Sequence, residues 1–264
     1  MLMEARNQIR VTRQSIQYAL QREMLNKFTF VSNILFMIMN NACFIVQWLI
    51  LYSLKDDVGG YTFKQVILLW GMASFTYGIS RFFFRDSFEL SETINSGKLD
   101  NYLVQPKNVL IQCITSSVEV SAIGDLIYGI IMLCLFEFSI KNLLLFLLCG
   151  VLGAFTIVSI AVIVASLSFW FGRTEVVANT VNGLMINFAT YPEGIFKGFI
   201  KILFYTILPL GITAYVPIQV ISHFEWIHIL YLGIGTILFV TAAFLFFYRG
   251  LKRYSSSNLM NARI

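Results

Sequence analysis

Long apolar runs separated by short polar segments make up most of the chain. Runs of about 20 apolar residues are long enough to cross the hydrocarbon core of a bilayer. Six such runs occur, at residues 28–54, 63–84, 117–136, 143–171, 176–191 and 226–248. The pattern therefore predicts an all-α integral membrane protein with six transmembrane helices.

A seventh apolar run, residues 199–221, differs from the others. It contains Pro209, Gly211 and Pro217, which interrupt the hydrogen-bond ladder of a straight helix. We therefore predict that residues 191–225 form a re-entrant or extracellular segment between the fifth and sixth spans.

The basic residues support an even number of spans, because Lys and Arg accumulate in cytoplasmic loops. With six spans, four basic regions lie on one side: Arg6, Arg10, Arg13, Arg22 and Lys27; Arg81, Arg85, Lys98 and Lys107; Arg173; and Arg249, Lys252, Arg253 and Arg263. A seventh span would place the basic C-terminal tail outside. We therefore expect both termini to be cytoplasmic.

Composition agrees with a single membrane domain over residues 1–264. The chain has 58% hydrophobic and only 12% charged residues, far from the composition of soluble domains. Its formal charge of +5 comes from basic residues placed to face anionic lipid headgroups, so we expect membrane lipids and no nucleic acid as partners. The cysteines and histidines have no metal-ligand spacing, and no metal site is predicted.

The N-terminal residues 1–27 have a helical pattern. Apolar residues form one stripe, with basic residues beside it: Leu2, Ile9, Ile16 and Leu20, with Arg6, Arg10 and Arg13. This pattern predicts an interfacial helix at the headgroup level. A frayed polar arm is the alternative.

The chain lacks the motifs of familiar catalytic and nucleotide-binding sites. A phosphate-binding loop requires a Gly-rich segment that ends in Gly-Lys-Ser or Gly-Lys-Thr, whereas Gly97 and Lys98 are followed by Leu99. We therefore predict no catalytic residue and no cofactor in this chain.

Two acidic residues, Glu119 and Asp125, interrupt the third apolar run. An ionised carboxylate inside a bilayer usually faces a helix contact or a water-filled path. On a continuous helix, six residues correspond to a rotation of about 240°, so the two side chains would point to different faces. Asp125 is the candidate for a pathway or helix contact, or else a structural hydrogen-bond partner; Glu119 is the weaker candidate and could be interfacial.

Residues 85–108 form the most polar segment inside the chain. Phe88, Leu90 and Ile94 give its first half an apolar face, residues 95–97 predict a turn, and Pro106 ends a second helical stretch. A simple connector between adjacent helices needs about 2 to 8 residues. The segment is therefore predicted to contact a partner, with an ordinary solvated loop as the alternative.

This segment carries a resemblance to a known family. The loop pattern I-x-x-G-x-L-D-x-Y-L-x-x-P is present as Ile94, Gly97, Leu99, Asp100, Tyr102, Leu103 and Pro106. With the later segments YPEGIF (191–196) and ILPLGITAYVP (207–217), it makes the chain resemble a bacterial branch of the ABC-2 family of ABC transporter permeases.

The resemblance implies a permease half of an exporter in the bacterial cytoplasmic membrane. It implies two separate ATPase subunits, which bind ATP and Mg, and a second permease chain, identical or homologous. A coupling helix between spans two and three would dock the ATPase, and its expected contact residues are Glu89, Glu92, Ile94, Gly97, Lys98, Leu99, Asp100, Tyr102 and Pro106. Leu99 and Tyr102 are expected to be the main anchors.

Two other functions are compatible with the residues alone. A secondary transporter or channel that works without an ATPase would use Asp125 and Glu119 as ion-coupling groups. A non-transporting scaffold would use residues 85–108 to recruit a cytosolic partner.

Overall fold

The computed structural model describes residues 2–255, with side chains from Arg6 onward. Arg263, counted above in the basic tail, lies outside this range. The described chain is helical and contains no β-strand. Its α-helices are α1 Leu2–Glu23, α2 Lys27–Leu54, α3 Phe63–Phe84, α4 Leu90–Asn95, α5 Asp100–Leu103, α6 Val109–Ile114, α7 Ala122–Phe136, α8 Ile140–Ser166, α9 Ser168–Phe171, α10 Glu175–Ala189, α11 Phe199–Thr206, α12 Val216–Ser222 and α13 Trp226–Leu251.

Four helical stretches are long and apolar enough to cross a membrane: α2, α3 with its continuation to Asn95, α8 with α9, and α13. The bent pair Phe199–Thr206 and Gly211–Ser222 would make a fifth. Helices α7 and α10 have 15 residues each, about 22 Å at 1.5 Å per residue. Helix α7 is therefore five residues shorter than the apolar run 117–136, whereas α10 is about as long as its run, 176–191.

Helix α3 lies at the centre of the bundle, between α7 and α8. Thr62 and Gln65 form a capping box that starts it, because each side chain satisfies a backbone N–H of the other residue. Glycines allow close packing against it: a methyl group on Gly129 of α7 would lie 2.6 Å from the carbonyl oxygen of Gly71. The α3–α7 contact thus depends on the absence of side chains at this point.

The connecting segments gather at two ends of the bundle. At the first end, residues 85–121 contact the 167–174 connection, as in the hydrogen bond between Ser91 and Thr174. At the second end, Lys64 pairs with Glu137 at 2.8 Å, and the backbone of Gly59 lies against Gly194. Helices α2, α3, α7, α8, α10 and α13 thus alternate in direction between the two ends.

A helix, α1, is present at the N-terminus, and its position at the headgroup level stays a prediction. It lies against the segment that precedes α7. The side-chain oxygen of Gln8 accepts a hydrogen bond from the Asn108 backbone at 3.1 Å, and Ser15 donates one to the Thr115 carbonyl at 3.4 Å. These contacts attach α1 to the first end of the bundle.

The run at residues 199–221 is not one straight helix. Helix α11 and the stretch Gly211–Ser222 meet at 75°, and residues 211–215 form a π-helical turn. Pro209 stands at the break, where its ring and missing N–H prevent a regular ladder. The bend has the local cause expected from the sequence, and the placement of this segment relative to the bilayer stays a prediction.

Candidate functional site

A cluster of four polar side chains lies near the middle of the bundle. The Asn41 amide nitrogen donates to an Asp125 carboxylate oxygen at 2.6 Å. The Asn41 amide oxygen accepts from the Trp70 indole at 3.3 Å and from the Ser74 hydroxyl at 3.2 Å. Asn41 therefore bridges α2 to both α3 and α7.

The helices explain why these groups meet. Trp70 and Ser74 are one turn apart on α3, so both face the same side of that helix. Asn41 lies near the middle of α2, and Asp125 is in the first turn of α7 with only 8% of its surface exposed. A buried carboxylate is costly unless it is hydrogen-bonded, and the Asn41 amide supplies that hydrogen bond.

Glu119 lies in the same region, contrary to the helical-wheel prediction. The rotation of 240° assumes a continuous helix from residue 117, whereas α7 begins at Ala122, so it does not apply to Glu119 and Asp125. Glu119 pairs with Arg81 at 3.0 Å, and the Arg81 guanidinium also lies 4.9 Å from the centre of the Phe88 ring. The non-helical approach to α7 brings both acids to one site.

This site borders a cavity of about 360 Å³, here called the central cavity. It lies between α2, α3, α7 and α10. Its polar lining residues are Asn40, Asn41, Gln47, Ser74, Tyr77, Arg81, Glu119, Asp125, Asn187 and Thr190. Its aromatic lining residues are Phe44, Trp48, Trp70, Tyr77 and Tyr191. A volume in this range is typical of sites for small organic ligands.

The sequence analysis found only the two acids of this cavity. It missed the amides of Asn40, Asn41, Gln47 and Asn187, which are uncharged and therefore lower the apolarity of a run only slightly. Their signal was nevertheless present, because three of them fall within one 28-residue apolar helix and polar side chains in transmembrane helices usually face the bundle interior.

Residues 85–108 fold as the sequence predicts, into two short helices with a turn between them. Gly97 has a φ of 75°, a conformation that favours glycine, and it separates α4 from α5. Leu90, Ile94 and Leu99 are buried against α8 and α13 in the protein's own core. Leu99 is fully buried, so the prediction that it presses into a partner's groove is wrong.

The other predicted contact residues are distributed between the surface and the protein interior. Tyr102 is half-buried and its hydroxyl lies 2.9 Å from that of Ser116, and burial raises the pKa of this phenol. Gly97 and Asp100 are partly buried. The exposed members are Glu89, Glu92, Lys98 and Pro106. Because Tyr102 contacts the protein itself, it too is a poor anchor for a partner.

The exposed charges of this segment pair with one another. Lys98 lies 2.9 Å from Glu92, and Arg85 lies 3.3 Å from Glu89. The hydrogen bond to Glu92 and the charge of that carboxylate raise the pKa of Lys98. Solvent screens such pairs, so they contribute little to stability, and their charges remain available to a partner.

Apolar side chains next to these charges are also exposed. Leu103 is 40% exposed and Val104 is 84% exposed. Together with Glu89, Glu92 and Lys98 they form what we call the end patch. Leu99 and Tyr102, the residues predicted as anchors, instead pack on the protein's own core, which cannot be read from so short a helix.

A cluster of hydroxyl groups ties the end patch to the helix that lines the cavity. The Ser168 hydroxyl lies 2.6 Å from those of both Ser91 and Thr174. One turn away, Asn95 donates to Glu175 at 3.3 Å. These residues join α4 to the start of α10, and α10 carries Asn187 into the central cavity.

The second end of the bundle holds a separate polar cluster around Glu193. Its carboxylate accepts hydrogen bonds from the Tyr205 hydroxyl and from the Gln219 amide, the latter at 3.2 Å. Lys201 lies 3.8 Å away. This cluster fastens the bent pair of helices to the connection that follows α10.

Comparison with known proteins supplies one match. A family model described as "ABC-2 family transporter protein" matches residues 37–258. None of the curated proteins and none of the solved structures compared matches the chain. The matched region contains the central cavity and the end patch.

Proposed function

Because the chain belongs to the ABC-2 transporter family, a family of membrane transport components, we propose that it is the permease half of an exporter driven by a separate ATPase. The observation that carries this proposal is the end patch, which combines exposed Leu103 and Val104 with paired charges. Leu90 and Ile94 of α4, with Leu99 just before α5, hold the patch on the core.

We further propose that α2, α3, α7, α8, α10 and α13 are six transmembrane spans. Non-helical residues before α7 and after α10 would complete these two short spans. Every arginine of the described chain lies at the first end, and the second end has only Lys55, Lys64, Lys141, Lys197 and Lys201. The positive-inside rule then places the first end, with α1 and the C-terminal residues, in the cytoplasm, and residues 191–225 outside.

In this proposal, the ATPase acts on the cavity through α4. Movement of the end patch changes the position of α4, and the hydroxyl cluster of Ser91, Ser168 and Thr174 passes this movement to α10. Because Asn187 of α10 lines the cavity, the movement alters the cavity's shape or access. Coupling of this kind requires a packed element that has two discrete arrangements. We propose that the contact between α4 and α10 is this element.

The proposed complex contains two permease chains and two ATPase subunits in a bacterial cytoplasmic membrane. The ATPases would bind ATP and Mg and carry out hydrolysis. The second permease would be a second copy of this chain or a homologous chain.

The proposal is tested by replacing the exposed apolar part of the end patch. We expect the double variant Leu103→Ser and Val104→Ser to insert normally and to recover at least tenfold less ATPase when the tagged permease is purified from its native membrane. A few well-packed residues at the centre of an interface carry most of the affinity. The measurement is the ATPase-to-permease ratio, with ATP hydrolysis by the purified complex.

A matched control is Phe138→Ser, since Phe138 is also an exposed apolar residue, 62% exposed, but lies at the second end. ATPase recovery should be unchanged in this control. Normal recovery in the double variant would contradict the docking proposal. Ion flux by the purified permease without any ATPase would instead favour the channel or secondary transporter.

A further inference from the structure

When Asp125 is ionised, the central cavity carries an unbalanced negative charge. Its charged lining residues are Arg81, Glu119 and Asp125. Arg81 is already held by Glu119 at 3.0 Å and by the face of the Phe88 ring. The charge of the guanidinium is therefore matched within this pair, and the carboxylate of Asp125 is left without a cationic partner among the lining residues.

The hydrogen bonds of Asp125 leave room for a ligand. The structure gives its carboxylate one hydrogen bond within the described chain, from the neutral Asn41 amide at 2.6 Å. Trp70 and Ser74 both donate to the Asn41 oxygen, so the amide nitrogen is kept towards Asp125. An ionised carboxylate can accept about four hydrogen bonds, and a ligand that donates or is positively charged would complete the site.

Aromatic rings form the rest of the wall. Phe44 stacks on Trp70 with ring centres 4.4 Å apart, and Trp48 meets the edge of Tyr191 at 5.8 Å. Aromatic faces attract cations, with Trp the most effective. Rings and carboxylate together therefore favour a ligand that carries both a positive charge and an apolar body.

We propose that the central cavity binds an organic cation with an aromatic body, its charge near Asp125 and its ring system against Phe44, Trp48 and Tyr191. Calling this cation the transported substrate rests on the proposed function; the binding site itself does not. Its cavity of about 360 Å³ suits a molecule of one to three rings. An anionic ligand is disfavoured by Asp125.

The proposal is tested with the purified full-length permease in lipid nanodiscs, without an ATPase. The probes are N-methyl-4-phenylpyridinium, a permanent cation, and 4-phenylpyridine, a neutral molecule of almost the same shape at mildly alkaline pH. Equilibrium dialysis against empty nanodiscs removes the contribution of the lipid. We expect the cation to bind at least tenfold more tightly than the neutral analogue; equal affinities would overturn the proposal.

Two variants locate the binding. Asp125→Asn keeps the shape and removes the charge, and it should weaken cation binding at least tenfold without changing binding of the neutral analogue. Asp57→Asn is the control, since Asp57 is exposed in the connection after α2 and accepts a hydrogen bond from Gly60. Equal losses in both variants would overturn the site. If Asp125→Asn does not fold, Trp48→Leu replaces it, with an expected threefold or greater loss.

The substrate role has its own measurement. In the complex purified with its ATPase, the cation should stimulate ATP hydrolysis, and Asp125→Asn should abolish the stimulation. Binding to the permease without stimulation in the complex would overturn the substrate assignment alone. Stimulation that survives Asp125→Asn would overturn the site while leaving the ATPase-driven function in place.

Discussion

Helices α2 and α3 follow one another in the chain and are both apolar, but α2 is mostly exposed and α3 is mostly buried. In the most apolar 18 residues of α2, the mean hydropathy is 2.0 and 11% of the residues are buried. In the corresponding 18 residues of α3 and its continuation to Asn95, the mean hydropathy is 1.3 and 78% of the residues are buried. The more apolar helix is thus the more exposed one. Hydropathy predicts that both helices enter a membrane and does not predict which one lies inside the bundle.

The more apolar helix can be the more exposed one because the spans of a membrane protein are surrounded by lipid rather than water. Lipid tails are as apolar as leucine, so apolar residues gain little by leaving lipid for the protein interior, and close packing through small residues decides which helices meet. The α3 sequence contains Gly71, Ala73, Ser74, Gly78 and Ser80. On α2, large side chains such as Phe36, Met39 and Ile50 are exposed.

The largest expected effect tests the close packing of α3. Gly129→Ala should lower the free energy of unfolding by about 3 kcal/mol, the upper range for overpacking. The reason is that the added methyl group would lie 2.6 Å from both the Gly71 carbonyl oxygen and the Phe75 Cβ. Thermal unfolding of the purified protein, followed by circular dichroism, measures the loss.

Gly233→Ala on α13 is the matched control. A methyl group there would meet nothing within 4 Å, so the midpoint of unfolding should stay the same or rise slightly, as alanine favours helices. Equal destabilisation by the two substitutions would show that the α3–α7 contact does not depend on Gly129.

A second, smaller effect compares leucines of the two helices directly. Leu69 of α3 is fully buried and Leu49 of α2 is 51% exposed. We expect Leu69→Ala to cost about 2 kcal/mol because it leaves a cavity in a packed interior. Leu49→Ala should cost less than about 0.5 kcal/mol, since lipid fills the space.

The same unfolding assay measures both leucine variants in detergent at equal protein concentration. A large loss of unfolding free energy for Leu49→Ala would contradict the expected difference between α2 and α3. It would mean that the exposed face of α2 is covered by protein in the folded particle rather than by lipid or detergent.

The contrast also separates what the sequence could predict from what it could not. The helical class, the membrane location and the ABC-2 family followed from apolar run lengths and from the motif at Ile94–Pro106. The break at Pro209 followed from local chemistry. Leu99 is buried in a cluster that combines residues of α6, α8 and α13, and the last two helices are distant in sequence. The late start of α7 at Ala122 brought Glu119 beside Arg81, and no periodicity in residues 117–136 indicated it.

The smallest expected effect concerns the buried polar contact that Asn41 of α2 makes with α3 and α7. Asn41→Leu removes its hydrogen bonds to Asp125, Trp70 and Ser74. Hydrogen bonds between transmembrane helices contribute about 0.6 kcal/mol each on average, and the leucine side chain packs in place of the amide, so we expect a net loss of about 1 kcal/mol in the same unfolding assay. Asn40→Leu is the control, because Asn40 is adjacent in sequence and exposed, and it should change stability little.

The double variant Asn41→Leu with Asp125→Leu refines this test. Replacing both partners by apolar groups costs less than leaving one buried partner unpaired. We therefore expect the double variant to be at least as stable as Asn41→Leu alone, while cation binding is lost. A double variant that is less stable by the sum of the two single losses would show that Asn41 and Asp125 act independently. The positions of Asn41 and Asp125 would then be determined by packing. Helix α2 would be attached to the bundle by the contact between the Ile34 backbone and Gly124 rather than by polar groups.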